Sequence, residues 1–256
     1  MQQSLQRITK TVDTEFDFTS ELPEYWDGFW EKNDGMGYGG CDPDSKSKTL
    51  QMYHSALWSK HLPNGEDMVL KPETDYANNL MLTWNNFRFS SDSIIVSFRY
   101  KKYEDIIKRV MSCVDNYKKF YEKFIRRAYT IGGVIIFPKH QQSINQCRGT
   151  NPFISDRWDL TLECIRRYYI GEYSPLYENL IRDKEFFDLF VDFKGYVDFF
   201  YLQDMVNKDY SVVDNWCGDF SFSESGLPKT VHEYFAFIEN EISFLNKRNN
   251  RIKQLF

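Results

Sequence analysis

The chain has 256 residues, a hydrophobic share of 42% and a formal net charge of −5, which is enough apolar material for one domain with a sizeable core. The acidic balance argues against a protein coated with positive charge for nonspecific nucleic-acid binding. Five widely spaced cysteines without a C-x-x-C pair, and four histidines without an H-x-x-x-H pair, argue against a disulfide framework and a metal site.

The N-terminal segment, MQQSLQRITKTVD, lacks the apolar run of a signal peptide. No uninterrupted apolar stretch approaches the length of a membrane span, so we expect a cytoplasmic protein with no membrane segment. A short strand is predicted for residues 14–18, where two phenylalanines alternate with Asp17. Residues 27–47 are rich in glycine and predict a long loop, which is more often functional or mobile than a mere connector.

Residues 50–60 have helical spacing and bring together Tyr53, His54 and Trp58. A histidine can act as a general base or hold a ribose hydroxyl, and an aromatic ring can stack on a base. The alternative is that the two aromatic residues belong to the core and that His54 is a satisfied polar residue. Strands are expected next at residues 68–71 and 80–89.

The polar run Ser90, Ser91 and Asp92 follows the second of these strands. Its simplest interpretation is a helix cap, because such side chains accept hydrogen bonds from backbone N–H groups. The other interpretation is a polar shelf at the end of a strand, where the hydroxyl groups of a ligand would bind.

Residues 103–127 predict one long helix, with apolar side chains at alternating steps of four and three residues. Residues 99–127 contain ten Lys or Arg and four Asp or Glu, a local charge of +6. This basic face of the 103–127 helix is a candidate surface for RNA, and the alternative is an ordinary solvated helix face.

Residues 129–138 predict a buried strand that begins near Gly132 and Gly133, where the backbone bends or closely approaches another segment. A polar loop, residues 143–155, then carries Asn145 and Arg148, and a helix over residues 156–169 carries Glu163. On that helix Asp156, Asp159, Glu163 and Arg167 would share one face. Carboxylates beside an arginine-bearing loop suit a pocket for an anionic or nucleotide ligand, whereas an amphipathic helix with a Glu163–Arg167 pair is the plainer alternative.

The remaining chain is predicted to be mostly helical and ends in a helix over residues 231–253. No internal repeat or low-complexity linker divides the chain. The sequence therefore predicts a single α+β domain over residues 1–256, with a small central sheet in the N-terminal half and a mostly helical C-terminal half.

Several specific phrases occur together along nearly the whole chain. They are Y-H-x-x-L-W-S-K-x-L-P-N-G (53–65), S-S-D-S-I-I (90–95), I-G-G-x-I-I-F-P (131–138), I-N-x-x-R-G (144–149), D-R-W-D-L-T-L-E-C-I-R-R-Y-Y (156–169), G-Y-V-D-F-F-x-L-Q-D (195–204) and R-N-x-R-I (248–252). In these phrases the chain resembles a widespread bacterial family catalogued mainly as a domain of unknown function. This resemblance implies one domain in a bacterial cytoplasm and no particular reaction.

A second resemblance is to the mRNA-modifying ADP-ribosyltransferase toxins of anti-phage toxin–antitoxin systems that include a SecB-like chaperone. In such enzymes an early Arg or His contacts NAD, a polar strand end follows, and a catalytic Glu comes later. His54, Ser90 with Ser91, and Glu163 occur here in that order. The pattern departs from the family in placing Glu163 on a predicted helix, where these enzymes carry the residue on or beside a strand.

The second resemblance implies NAD as a substrate, RNA as a partner, and antitoxin and chaperone proteins as further partners. It gives Glu163 the role of holding the ribose 2′-hydroxyl and stabilising an oxocarbenium-like ribose, with His54 as the second catalytic residue. Tyr53, Ser90, Ser91, Asn145 and Arg148 would then bind the cofactor, the arginine through the pyrophosphate.

Two other hypotheses remain open at this point. The chain is a metal-independent ribonuclease toxin if His54 and a carboxylate act as acid and base on RNA. It is a non-enzymatic binding module if the aromatic residues Trp26 and Trp30 beside the glycine-rich segment engage a protein partner.

Overall fold

The computed structural model describes residues 12–27, 42–95, 104–214 and 220–256. The predicted α+β fold is confirmed: a four-stranded antiparallel sheet is formed by the described residues of the N-terminal half, and the C-terminal half is mostly helical. The strands pair in chain order and are β1 (Lys71–Thr74), β2 (Leu80–Trp84), β3 (Phe87–Ser93) and β4 (Val134–Pro138).

The helices of the described residues are short until the last one, which is the longest. They are α1 (Pro23–Asp27), α2 (Pro43–Lys46), α3 (Lys48–Trp58), α4 (Glu104–Cys113), α5 (Tyr117–Ala128), α6 (Ile144–Thr150), α7 (Trp158–Tyr169), α8 (Tyr177–Arg182), α9 (Lys184–Asp188), α10 (Phe193–Phe199) and α11 (Val231–Lys253).

The core lies around β4 and the inner faces of the helices. Residues 134–137 of β4 are fully buried, as their continuous apolar run predicts. Helix α11 covers residues 231–253 as predicted and begins at a capping box, in which Thr230 accepts from the Glu233 N–H and the glutamate side chain accepts in return. It packs against α4, α5 and the 3₁₀ turn that precedes β4.

Two predictions near the N-terminus are wrong where the structure describes the chain. Residues 14–18 form no strand; Asp17 instead caps a 3₁₀ turn, Phe18–Glu21, by accepting from the Thr19 N–H. Within the predicted 27–47 loop, Asp42 caps α2, and Pro43 favours a helix start because its fixed φ suits the first turn. Residues 28–41, with all five glycines of the predicted loop and Trp30, lie outside the described residues.

The predicted 103–127 helix is divided into α4 and α5. Asn116 separates them in the left-handed conformation, with φ of 54°, and its side chain accepts from the Lys119 N–H. Asparagine tolerates this conformation better than most residues because its short side chain bonds locally to the backbone. The apolar period is unbroken across this junction, so periodicity alone could not reveal the interruption.

Strand boundaries also differ from the prediction. The single strand expected at residues 80–89 is a hairpin, because Asn85 turns the chain with φ of 50° between β2 and β3. Residues 68–70 precede β1 rather than forming a strand. Ser90, Ser91 and Asp92 lie within β3, so their interpretation as a helix cap is wrong.

The expected loop at residues 143–155 is wrong as well, since most of it forms α6 and places Asn145 and Arg148 on a helix. Helix α7 begins at Trp158, so Asp156 does not share its face. Ser155 and Asp156 instead adopt left-handed φ values of 50° and 66°. Two consecutive residues with this rare backbone are held there by surrounding contacts, and such positions concentrate at functional sites.

The backbone at Gly133 packs so closely against the Ala128 carbonyl oxygen that a Cβ at this position would overlap it. We therefore expect Gly133→Ala to lower the free energy of unfolding by about 3 kcal/mol. Gly149→Ala is the matched control, since its Cβ would lie 3.8 Å from the Asp156 carboxyl group in ordinary contact. Urea denaturation measures both variants, and a Gly133→Ala protein as stable as the control would contradict the expectation.

Candidate active site

Strand β3 ends in four polar residues, 90–93, whose side chains alternate between the two faces of the sheet. Ser91 contacts residues of α2 and α3 on one face. Ser90 and Asp92 contact α6 on the other face. We call these groups the histidine side and the arginine side of the β3 end.

The histidine side is a continuous chain of hydrogen bonds. The Trp58 indole nitrogen lies 2.9 Å from His54 Nδ1, and His54 Nε2 lies 2.9 Å from Ser91 Oγ. Ser91 Oγ lies 3.0 Å from Asp44 Oδ1, and the Ser93 N–H donates to Asp44 Oδ2 at 3.0 Å. The strand end and two helices are thereby joined through side chains that the sequence separates widely.

Burial shifts the pKa of both titratable groups of the histidine side toward the neutral form. Burial, with repulsion from Asp42 and Asp92, raises the pKa of Asp44 well above its usual range. His54 is 1% exposed, and burial together with the positive charge of Arg248 lowers its pKa to about 3. At neutral pH this side of the site therefore offers an uncharged imidazole beside a carboxyl group with a raised pKa.

A narrow pocket opens onto the histidine side. It is lined by Asp44, His54 and Ser91 together with apolar residues of α3 and β2, and its volume is about 10 Å³. That is roughly the space of one water molecule. A nucleotide does not fit in this pocket.

The arginine side is organised by Arg148, whose side chain is completely buried. Its guanidinium donates to Asp92 Oδ2 at 2.6 Å and to the Asp156 carbonyl oxygen at 2.8 Å, and it lies 3.2 Å from Asp156 Oδ1. It also donates to Thr161 Oγ1 at 3.3 Å. Arg148 thus joins β3, α6 and the left-handed turn before α7.

Asp92 lies at the exposed edge of this cluster, with 22% of its side chain accessible. Burial raises its pKa to about 7, against the lowering effect of Arg148 and with a further increase from Asp156. A carboxyl group that changes charge near neutral pH, and that remains partly open to solvent, is suited to proton transfer or to stabilising a developing positive charge.

The raised pKa of Asp92 predicts a specific pH dependence of stability. The unfolded chain releases this proton near its ordinary pKa of 3.8 and the folded protein only near 7. Ionisation of Asp92 therefore opposes folding as the pH rises through that window. We expect the free energy of unfolding of Asp92→Asn to increase relative to that of the wild type as the pH rises from 4 to 7.5. Urea denaturation measures both. Asp67→Asn, at an exposed carboxylate, is the control, and parallel curves for Asp92→Asn and wild type would contradict the expectation.

The structure brings several of the predicted site residues together. His54 and Ser91 are bonded directly, Asn145 donates from Nδ2 to Ser90 Oγ at 3.2 Å, and Arg148 binds the carboxylate next to Ser91. Tyr53 lies apart from them: its hydroxyl accepts from the Asp13 N–H, and its ring packs against Phe16 and Phe18.

Glu163 lies on the buried part of α7, in a different group of contacts. Its carboxylate accepts from Arg166 at 2.8 and 2.9 Å and from Arg167 at 2.8 Å. Burial would raise its pKa, but these two arginines lower it below the usual range. The residue is a stably ionised, doubly paired carboxylate, and its catalytic role stays a prediction.

Sequence reasoning missed Asp44, which is hidden in a turn-like Asp-Pro-Asp run. It named Asp92 only as part of a cap or polar shelf, and Asp156 only as one carboxylate of a helix face. A usable signal existed for Asp92, because a carboxylate that follows two serines at the end of a predicted strand is costly to bury without a positive partner.

Part of the basic face of the predicted 103–127 helix is engaged in ion pairs in the structure. Arg126 and Arg127 are bound to Asp17 and Glu15 near the N-terminus. Lys118, Lys119 and Lys123 of α5 are exposed to solvent. Their charges are a modest electrostatic attraction for a polyanion.

Two further properties concern the described residues only. Among their helices, none combines the length and the hydropathy that crossing a bilayer requires. Their His, Cys, Asp and Glu side chains form no group of three or more that is arranged to hold a metal ion.

Comparison with known proteins identifies the family and goes no further. Residues 12–252 match the model of a family of unknown function, DUF6994, and the chain belongs to that family. Neither the curated proteins nor the solved structures contain a significant match.

Proposed function

We propose that this protein is an enzyme that transfers ADP-ribose from NAD to nucleic acid, with the end of β3 as its active centre. The observation that supports this most is the placing of two carboxyl groups, Asp44 and Asp92, on either side of Ser91. The two side chains lie on opposite faces of the sheet at this strand end.

The reaction requires a carboxylate beside the ribose and a carboxylate that takes up a proton. The bond between C1′ of the ribose and the nicotinamide nitrogen breaks, and its electron pair leaves with nicotinamide. A carboxylate beside the ribose stabilises the oxocarbenium-like transition state, a role that we assign to Asp92. An acceptor oxygen of the nucleic acid then bonds to C1′ and gives its proton to a carboxylate of the site.

The substrate would lie on the arginine side, where the Asp92 side chain is 22% accessible. Ser90 and Asn145 are half-buried there and present hydrogen-bonding groups beside Asp92. The predicted contact of Arg148 with the pyrophosphate would require this buried side chain to leave a partner within the protein. We therefore give Arg148 the role of positioning Asp92.

The other elements of the proposal rest on the sequence and on the basic surface. Lys118, Lys119 and Lys123 of α5 would attract RNA as the acceptor. A role as an anti-phage toxin of the bacterial cytoplasm, with an antitoxin and a chaperone as partners, rests on the resemblance alone.

The ribonuclease hypothesis receives less support from the geometry. It needs His54 to exchange protons with RNA, yet this ring is 1% exposed and both of its nitrogens have partners within the protein. Its pKa of about 3 also keeps it neutral at physiological pH. Cleavage of RNA in the absence of NAD, abolished by His54→Ala, would nevertheless favour that hypothesis over ours.

The test uses the full chain, total RNA and NAD labelled in the adenylate phosphate. We expect nicotinamide to be released and the label to remain on the RNA after washing in denaturant. Release of nicotinamide without labelled RNA would refute nucleic acid as the acceptor. The absence of both nicotinamide release and RNA labelling would refute NAD as the donor.

A further inference from the structure

We propose that Trp58 and His54 are positioning residues that fix the direction of the hydrogen-bond chain entering Asp44, so that Ser91 donates to Asp44 and is not a nucleophile activated by His54. The direction follows from the chemistry of the four groups. Its catalytic consequence rests on the proposed function, whereas the direction itself does not.

This chain of hydrogen bonds starts at the Trp58 indole N–H, a group that can only donate. An indole nitrogen carries one hydrogen and has no lone pair for accepting, so the 2.9 Å contact makes His54 Nδ1 the acceptor. A neutral imidazole carries its single hydrogen on the other nitrogen when Nδ1 accepts. His54 therefore has its hydrogen on Nε2.

The next two bonds follow in the same direction. His54 Nε2 donates to Ser91 Oγ at 2.9 Å. The hydroxyl hydrogen of Ser91 is then directed to Asp44 Oδ1 at 3.0 Å, while the Ser93 N–H occupies Oδ2. Asp44 receives one donor on each oxygen, which fixes the rotation of its carboxyl group.

The surroundings of His54 keep it neutral. The groups that contact the ring nitrogens are the Trp58 indole and the Ser91 hydroxyl, neither of which carries a charge. Arg248 adds a positive charge nearby, and Asp44 lies beyond Ser91. A second proton on Nδ1 would point at the Trp58 N–H, so both sterics and charge oppose it.

This direction excludes a serine–histidine pair of the hydrolytic kind. A histidine that activates a serine must accept the hydroxyl hydrogen at the nitrogen facing it. Here that nitrogen donates, and the serine hydrogen goes to a carboxyl group. His54 and Trp58 act through Ser91 on the orientation of Asp44.

Nitrogen-15 NMR of the full chain, labelled at histidine, tests the direction without any assay of activity. We expect the His54 ring to show a protonated Nε2 and an unprotonated Nδ1 from pH 8 down to pH 5. A ring protonated on Nδ1, or one that becomes doubly protonated near pH 6.5, would overturn the proposal.

Replacing Trp58 by β-(3-benzothienyl)alanine keeps the ring shape and removes the N–H. We expect the His54 hydrogen to redistribute between its nitrogens and the pH profile of nicotinamide release to shift by half a pH unit or more, because Asp44, which interacts electrostatically with Asp92, loses an oriented donor. The same replacement at Trp84, which is buried and stacked on Phe87, is the control. An unchanged tautomer in the Trp58 variant refutes the fixed direction. A changed tautomer with an unchanged pH profile refutes the positioning role alone.

Discussion

Arg148→Met is expected to lower the free energy of unfolding by about 3–5 kcal/mol, the effect of breaking a buried ion pair by removing one partner. Arg148 is fully buried, and its charge lies within 3.2 Å of both Asp92 and Asp156. Methionine fills a similar volume, so the loss arises from removing the buried donor and positive charge that bind Asp92 and Asp156. Urea denaturation at pH 7 measures the change.

Arg126→Met provides a matched control. Arg126 also pairs with an aspartate, Asp17, but 44% of its side chain is exposed. Exposed pairs contribute about 0–1 kcal/mol, so the control should remain close to the wild type. Adding Asp92→Asn to Arg148→Met should restore part of the stability, because it removes a buried ionisable group that has lost the donor and the positive charge of Arg148. Equal destabilisation by Arg148→Met and Arg126→Met would contradict this account.

The largest expected effect on activity is that of Asp92→Asn. Asparagine preserves the shape of the side chain and can still accept from Arg148, but it cannot carry the negative charge opposite the oxocarbenium-like ribose. We expect the rate of nicotinamide release to fall by about 10²–10³-fold, the usual effect of removing one electrostatic group from a transition-state site.

The same prediction has a pH signature. Burial raises the pKa of Asp92 to about 7, and the active form is the carboxylate, so the wild-type rate should rise as the pH passes through 7. Asp188→Asn, at an exposed aspartate paired with Lys184, is the control and should retain wild-type activity. A rate of nicotinamide release by Asp92→Asn within threefold of the wild-type rate would show that Asp92 has no role in the mechanism.

Elements defined by local sequence could be predicted well. The capping box and the continuous apolar face specify α11, and the uninterrupted apolar run specifies β4 as a buried strand. The helix and strand boundaries that were wrong depend on single backbone conformations. Asn85 and Asn116 turn the chain without disturbing the apolar period, so a pattern based on hydrophobicity does not detect them.

The site could be predicted only in part, for a different reason. His54 and Ser91 were recognised as polar candidates, but the bond between them joins positions 37 residues apart and depends on how α3 docks on β3. Asp44 and Asp92 acquire their chemistry from burial and from neighbouring charges, since Asp92 raises the pKa of Asp44, and Asp156 raises the pKa of Asp92 against the effect of Arg148. Such properties arise from tertiary packing and have no local sequence signature.

The most direct measurement is a crystal structure of the full chain with a non-hydrolysable NAD analogue. This account predicts that the ribose next to the nicotinamide lies against Asp92, Ser90 and Asn145 on the arginine side of the β3 end. An analogue bound beside Glu163 and its two arginines, or one that does not bind at all, would contradict it.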